Sequence, residues 1–283
     1  MTTELNIQVK STQHNKPILT DVFYTKNTIK KPIVIFCHGY KGFKDWGAWN
    51  LAAMEFVNNE LFFVKFNFSH NGGTVENPID FPDLEAFGQN NFTTELNDLE
   101  DIINWIANNS KFKDEMDSTN ITLIGHSRGG GIVTLKASEN NKISKIISWA
   151  GVSDFGARFP KDEKILQYWE KEGVSYIENS RTKQQMPHYF QFYTNFKENE
   201  ARLTIKNAVQ KLSIPHLIIQ GEKDEVVLPM EAKNLHSWNP SSNLVLIKEM
   251  NHPLGCTQLW NGLKMPVHLA EVVKQSIDFI QKK

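Results

Sequence analysis

The most constraining feature of this chain is a β-rich apolar run, Asn120-Ile121-Thr122-Leu123-Ile124. It passes without a spacer into Gly125-His126-Ser127-Arg128-Gly129-Gly130-Gly131, and a helix-forming stretch over 132–140 follows. A strand can turn into a helix this abruptly only if the backbone bends sharply at Ser127, and Gly125 and Gly129 leave room where side chains would collide. Gly-x-Ser-x-Gly by itself is a weak pattern. In the strand–turn–helix context it points to a serine hydroxyl displayed at the end of a strand, beside a helix N-terminus whose N–H groups favour negative charge. The competing reading is that Ser127 merely caps a helix.

Strand-like and helix-like patterns alternate along the rest of the chain, the mark of a mostly parallel sheet covered by helices. Residues 4–10 and 18–25 are the exception and read as an antiparallel edge pair. Ile33-Val34-Ile35-Phe36-Cys37 is continuously apolar and β-rich, as a strand buried on both faces must be. A helix over 48–59 and a strand over 61–66 follow. Residues 69–91, rich in Asn, Gly and Pro, form a long connection expected to border a pocket. Leu96, Leu99, Ile102, Ile103 and Ile106 recur at three- and four-residue steps, which predicts a helix over 92–109. Further strands are expected at 143–150, 216–220 and 243–248. The fold class is therefore α/β, with helices on both faces of the sheet. The 283 residues, 40% of them hydrophobic, suit one such domain over 1–283. A Lys/Glu- and aromatic-rich segment, 155–210, reads as an inserted cap whose residues 174–179 could pair with the stretch after Arg181.

Thirty-one Lys and Arg against 32 Asp and Glu leave a net charge of −1, with no electrostatic reason to seek nucleic acid or an anionic membrane. A small molecule is the expected partner. Residues 1–10 lack the apolar stretch of a secretory signal and no later run reaches membrane-spanning length, so a cytoplasmic location is expected. Two cysteines, Cys37 and Cys256, are too few for a disulfide framework. Cys37 closes an apolar run and reads as a small buried hydrophobe.

A serine hydroxyl is a poor nucleophile at neutral pH and needs an imidazole base held in one tautomer by a carboxylate. Asp224 lies just beyond the strand at 216–220, where sites of open α/β sheets are built. Glu222 and Glu225 are adjacent, and Asp154, after the strand at 143–150, is its main competitor. His252 follows the last strand and precedes the last helix. The order Ser127, Asp224, His252 suits the fold. The fourth requirement is a set of donors for an oxyanion. His38-Gly39-Tyr40-Lys41-Gly42 follows the strand at 33–37, and the N–H groups of Tyr40 and Arg128 are the expected pair. His38, His126, Phe155, Trp169 and Tyr189 are the candidate pocket residues. No metal or other cofactor is expected.

Together, Ile33-to-Tyr40, Gly125-to-Gly130, Gly221-to-Asp224 and Asn251-His252 resemble the α/β-hydrolase superfamily from about residue 33 to the C-terminus. Within it, His38-Gly39-Tyr40-x-Gly42 is similar to cinnamoyl and feruloyl esterases and to the catalytic domains of acylaminoacyl-peptidase-like hydrolases. The resemblance extends in outline to dienelactone hydrolases, but these usually carry Cys where Ser127 stands. Haloalkane dehalogenases and epoxide hydrolases carry Asp there, and hormone-sensitive-lipase-like esterases a third Gly where Tyr40 stands. The resemblance implies a carboxylesterase for small, aromatic-tolerant acyl esters. A serine exopeptidase or amidase is the alternative, and a silent binding protein the third reading.

Overall fold

The computed structural model describes residues 1–282. In chain order the strands are β1 (Thr2–Val9), β2 (Ile18–Tyr24), β3 (Lys31–Cys37), β4 (Phe62–Phe66), β5 (Met116–His126), β6 (Ile143–Trp149), β7 (Val174–Glu178), β8 (Gln185–Tyr189), β9 (His216–Gly221) and β10 (Asn243–Ile247). Eight of them make one sheet in the order β1-β2-β4-β3-β5-β6-β9-β10. The pairs β1/β2 and β2/β4 are antiparallel, and every pair from β4 to β10 is parallel. β4 lies on one side of β3 and β5 on the other. Chain order therefore reverses there, and a crevice opens at the C-terminal ends of β3 and β5.

The alternation along β3 shows why the sheet must be covered twice. Ile33, Ile35 and Cys37 pack into one cluster with Val64, Leu99, Ile103 and Val133, whereas Val34 and Phe36 pack into another with Phe56, Trp149 and Leu269. The first face carries α3 (Phe92–Ala107) and α4 (Arg128–Glu139), and the second carries α1 (Trp49–Asn58) and α10 (Val267–Gln281). Each fully buried side chain of this kind contributes about 1.5–3 kcal/mol. Both cysteines are free and buried. No helix among the described residues is long and apolar enough to cross a membrane.

Element ends differ from the sequence reading for local reasons. β5 starts at Met116, because Met116 and Asp117 pair with Lys31 and Pro32 before a register shift that the polar 118–120 accommodate. α4 starts at Arg128 and runs through Gly129, Gly130 and Gly131, which a propensity reading treats as breakers. Residues 69–91 contain α2 (Leu84–Gln89), capped by Asp83, whose side chain accepts from the Ala86 N–H. This segment lines neither cavity that reaches Ser127. Phe81 and Phe87 instead join Phe43 and Met186 in a small core of their own, so the connection buttresses the loop after β3 and lines only a separate small cavity beside Lys16 and Leu19.

Between β6 and β9 the chain leaves the sheet to form α5 (Glu163–Glu172), the antiparallel pair β7/β8, and the short helices α6 (Gln191–Glu198), α7 (Glu200–Leu203) and α8 (Ile205–Lys211). α9 (Pro229–Trp238) then precedes β10.

Candidate active site

Ser127 stands between β5 and α4 with φ 56 and ψ −119. An L-residue at such a backbone angle costs of order 1–3 kcal/mol and persists only where its surroundings over-determine it. Here the Ser127 N–H donates to Trp149 O (2.9 Å), and its carbonyl accepts from Gly130 (3.0 Å) and Val152 (3.1 Å). A Cβ on Gly125 would lie 2.2 Å from Gly129 O, and one on Gly129 would lie 2.4 Å from Cys37 O. Both obstacles are backbone and cannot rotate away. Gly125→Ala is accordingly expected to cost about 3 kcal/mol. A urea midpoint equal to wild type would show that the turn has room to spare.

His252 joins the other two polar residues. Its Nε2 lies 3.0 Å from Ser127 Oγ and its Nδ1 lies 2.8 Å from Asp224 Oδ2. The carboxylate can only accept, so Nδ1 carries the proton and Nε2 is left free to receive one from the hydroxyl. Asp224 Oδ1 accepts from the N–H groups of Val226 and Val227 (2.9 Å each), and Oδ2 also accepts from Gln220 Nε2 (3.0 Å). Burial pushes the Asp224 carboxyl up, but the bond from His252, the proximity of that imidazole and the two N–H groups outweigh that and hold it below the usual value. The loops bearing the two residues are laced together: Glu222 N–H donates to Ile247 O and Lys223 N–H to Met250 O. Neighbouring carboxylates take no part. Glu222, Glu225 and Asp154 are exposed, and Asp154 accepts instead from the Ala157 N–H, 3.2 Å away.

The loop after β3 approaches so closely that a Cβ on Gly39 would sit 2.8 Å from Ser127 Cβ. Among the described residues, neither the Tyr40 N–H nor the Arg128 N–H has an acceptor within the protein. His38 fastens this loop. Its Nε2 accepts from the Phe68 N–H (3.2 Å), so Nδ1–H donates to Gly39 O (2.9 Å). Further along, Lys44 and Lys65, both buried, share Asp21 (2.7 and 3.0 Å) and also bind Asp45. Lys65 additionally donates to Lys44 O. Two positive and two negative groups thus pin the loop to β2 and β4.

Ser127 lies between two cavities. The larger, about 800 Å³, is walled by Phe92 from α3 and by Phe155, Phe159, Trp169 and Phe192 from the segment between β6 and β9. Arg128 also reaches it, its guanidinium 4.4 Å from the Tyr40 ring centre and 3.3 Å from the buried Glu95 carboxylate. The smaller, about 360 Å³, is lined by His38, His126, Lys41, Arg181 and His252. His126 donates through Nε2 to His252 O (2.9 Å), and burial holds its imidazole down to about 3. Phe155 and Trp169 therefore wall the larger cavity and His38 and His126 the smaller. Tyr189 lines neither. Its ring packs on Gly88 and its hydroxyl donates to Glu85, so it fastens β8 to α2. Phe192 is one of the aromatics of the 155–210 segment and lines the larger cavity, whereas sequence reading missed Phe92, Arg181 and His188 and met Lys41 only as part of the loop after β3. His188 pairs through Nε2 with the Tyr40 hydroxyl at 2.9 Å, and no spacing in β8 announces that contact.

The family described as BD-FAE matches residues 20–239. No curated protein matches the chain. Among solved structures, Est1E from Butyrivibrio proteoclasticus is 15% identical, with a TM-score of 0.68 and 98% of each chain covered. DcsB, solved in complex with its substrate analogue, is 16% identical with a TM-score of 0.74, covering 99% of this chain and 98% of that one. A puromycin-hydrolyzing peptidase from Mycobacterium tuberculosis is 15% identical with a TM-score of 0.62, covering 97% of this chain but 38% of that one. With its mostly parallel eight-stranded sheet, the reversal of strand order at β3 and a match over most of its length, the chain belongs to the BD-FAE family of the α/β-hydrolase superfamily.

Proposed function

We propose that the protein is a serine carboxylesterase that cleaves small esters, aromatic acyl groups among them, through an acyl-enzyme. The observation that carries this reading is the pair of bonds joining Ser127 to His252 and His252 to Asp224, open to an aromatic-walled cavity. Ser127 Oγ attacks the ester carbonyl carbon while its proton passes to His252 Nε2, and the negative charge on the carbonyl oxygen is met by the N–H groups of Tyr40 and Arg128. Such a donor is worth about 3–4 kcal/mol in the transition state. His252 then returns the proton to the departing alkoxide. Water, activated by the same imidazole, cleaves the acyl-enzyme and releases the acid. Support for an aromatic acyl group comes from the cavity walls and from the structure of Est1E with ferulic acid bound.

A panel of nitrophenyl esters, methyl hydroxycinnamates and aminoacyl amides tests the reading. Esters are expected to turn over and amides to lag well behind; the reverse order would make the protein an amidase of the kind suggested by its likeness to the puromycin-hydrolyzing peptidase.

The cap aromatics divide into two roles. Phe192 lines the larger cavity, whereas Phe196 is buried behind it. Phe192→Ala is expected to change the ratio of rates between cinnamoyl and acetyl esters by about tenfold. Removing a buried phenyl costs about 3–5 kcal/mol, so Phe196→Ala is expected to lower Tm by several degrees and leave that ratio alone. If both variants lose all substrates equally as they lose Tm, the cap aromatics only pack.

A further inference from the structure

The two cavities at Ser127 differ in chemistry as well as size. Both are lined by Ser127 and Tyr40, but His252 lines only the smaller. A general acid must stand within hydrogen-bond reach of the atom it protonates, so the alcohol leaves on the His252 side and the acyl group occupies the aromatic side.

The smaller cavity is electropositive. Lys41 and Arg181 line it and no aspartate or glutamate does. Its two buried imidazoles other than His252 are neutral at pH 7, since burial lowers His38 to about 4 and His126 to about 3. Arg181 already has a partner, Asp80. Lys41 has none: among the described residues its ammonium pairs with no carboxylate, overlies the Tyr40 ring 5.3 Å from the centre, and helps to hold the neighbouring His188 imidazole down. It is partly buried, with a left-handed φ of 54, on the same loop as Tyr40 and as Gly39, which approaches Ser127 closely. Partial burial pulls this lysine below its ordinary value, the direction expected of a cation that lacks a counter-charge.

We infer that the smaller cavity is the leaving-group site and that Lys41 makes it select alcohols bearing an anionic group such as a carboxylate or a phosphate. The inference rests on the serine-hydrolase reading for its direction, since that reading places the leaving group beside His252. A charge-assisted contact in a partly dehydrated cavity discriminates a charged from a neutral group of equal size.

Two cinnamoyl esters make the comparison, one of glycolate and one of glycolamide, alike in size and differing by one charge. Calorimetric titration of Ser127→Ala, which binds without turnover, is expected to show the glycolate ester at least tenfold tighter at low salt. That advantage should shrink as ionic strength rises. In Ser127→Ala/Lys41→Gln the advantage is expected to vanish, and in Ser127→Ala/Lys41→Arg to remain. Thermal melts of the double variants establish that each is folded, and the salt dependence reads the same charge without a second substitution. Equal affinity for the two esters, binding of neither, or an advantage that survives Lys41→Gln would overturn the assignment. Wild-type turnover is read separately. A protein that binds the glycolate ester more tightly yet hydrolyses neither would refute the esterase reading and leave the anion site standing.

Discussion

Ser127→Ala is expected to lower kcat by about four to six orders of magnitude, because nucleophile, base and acid act as a unit and no other hydroxyl can replace Oγ. Folding should survive. The hydroxyl contributes one bond, to His252 at 3.0 Å, and such a bond is worth about 0.5–1.5 kcal/mol net. The positive φ at this position is imposed by neighbouring backbone and is met equally by alanine. A fluorophosphonate probe should label the wild-type protein on the peptide containing Ser127 and leave the variant unlabelled at an unchanged Tm. Labelling that persists in Ser127→Ala would place the nucleophile elsewhere.

The second large effect is expected at Asp224. In Asp224→Asn the carboxamide can present an N–H to His252 Nδ1, which forces the proton onto Nε2 and leaves nothing to accept from Ser127. A loss of about a thousandfold to ten-thousandfold in kcat follows, with little change in KM. The asparagine keeps an oxygen for the Val226 and Val227 N–H groups, so the turn itself should hold. Asp154→Asn serves as the control, since its side chain is exposed and meets only the Ala157 N–H. Rates of the two variants on one nitrophenyl ester decide the matter, and a larger loss at Asp154 would move the orienting acid there.

The parts of this molecule legible in its sequence are those that local sterics and periodicity enforce. A strand that meets a helix at Gly125-His126-Ser127-Arg128-Gly129 has few geometries open to it. The alternation of Ile33, Ile35 and Cys37 against Val34 and Phe36 explains a sheet covered on both faces. Asp224 and His252 could be proposed because each follows a strand near its C-terminal end, where loops must converge. Residues 69–91 were less legible. Their Asn, Gly and Pro content says that the backbone turns, but whether Phe81 and Phe87 face a ligand or Phe43 depends on contacts across more than thirty residues of chain. Tyr189 was misread for the same reason: an aromatic in a cap can wall a cavity or fasten the cap, and its pairing with Glu85 and Gly88 decides for fastening. Lys41, as one lysine among many, became distinctive only when the structure left it without an acid.

The buried Lys44, Lys65 and Asp21, together with the half-buried Asp45, have a thermal consequence for the loop that bears Tyr40. Hydration of charged groups carries a strongly negative entropy, so the penalty for keeping Lys44, Lys65 and Asp21 dry falls as temperature rises, while apolar stabilisation per unit area levels off. On warming, this charged anchor is expected to lose less than the apolar contacts of the segment between β6 and β9. Heat is therefore expected to loosen the aromatic-walled cavity before it loosens the loop that bears Tyr40.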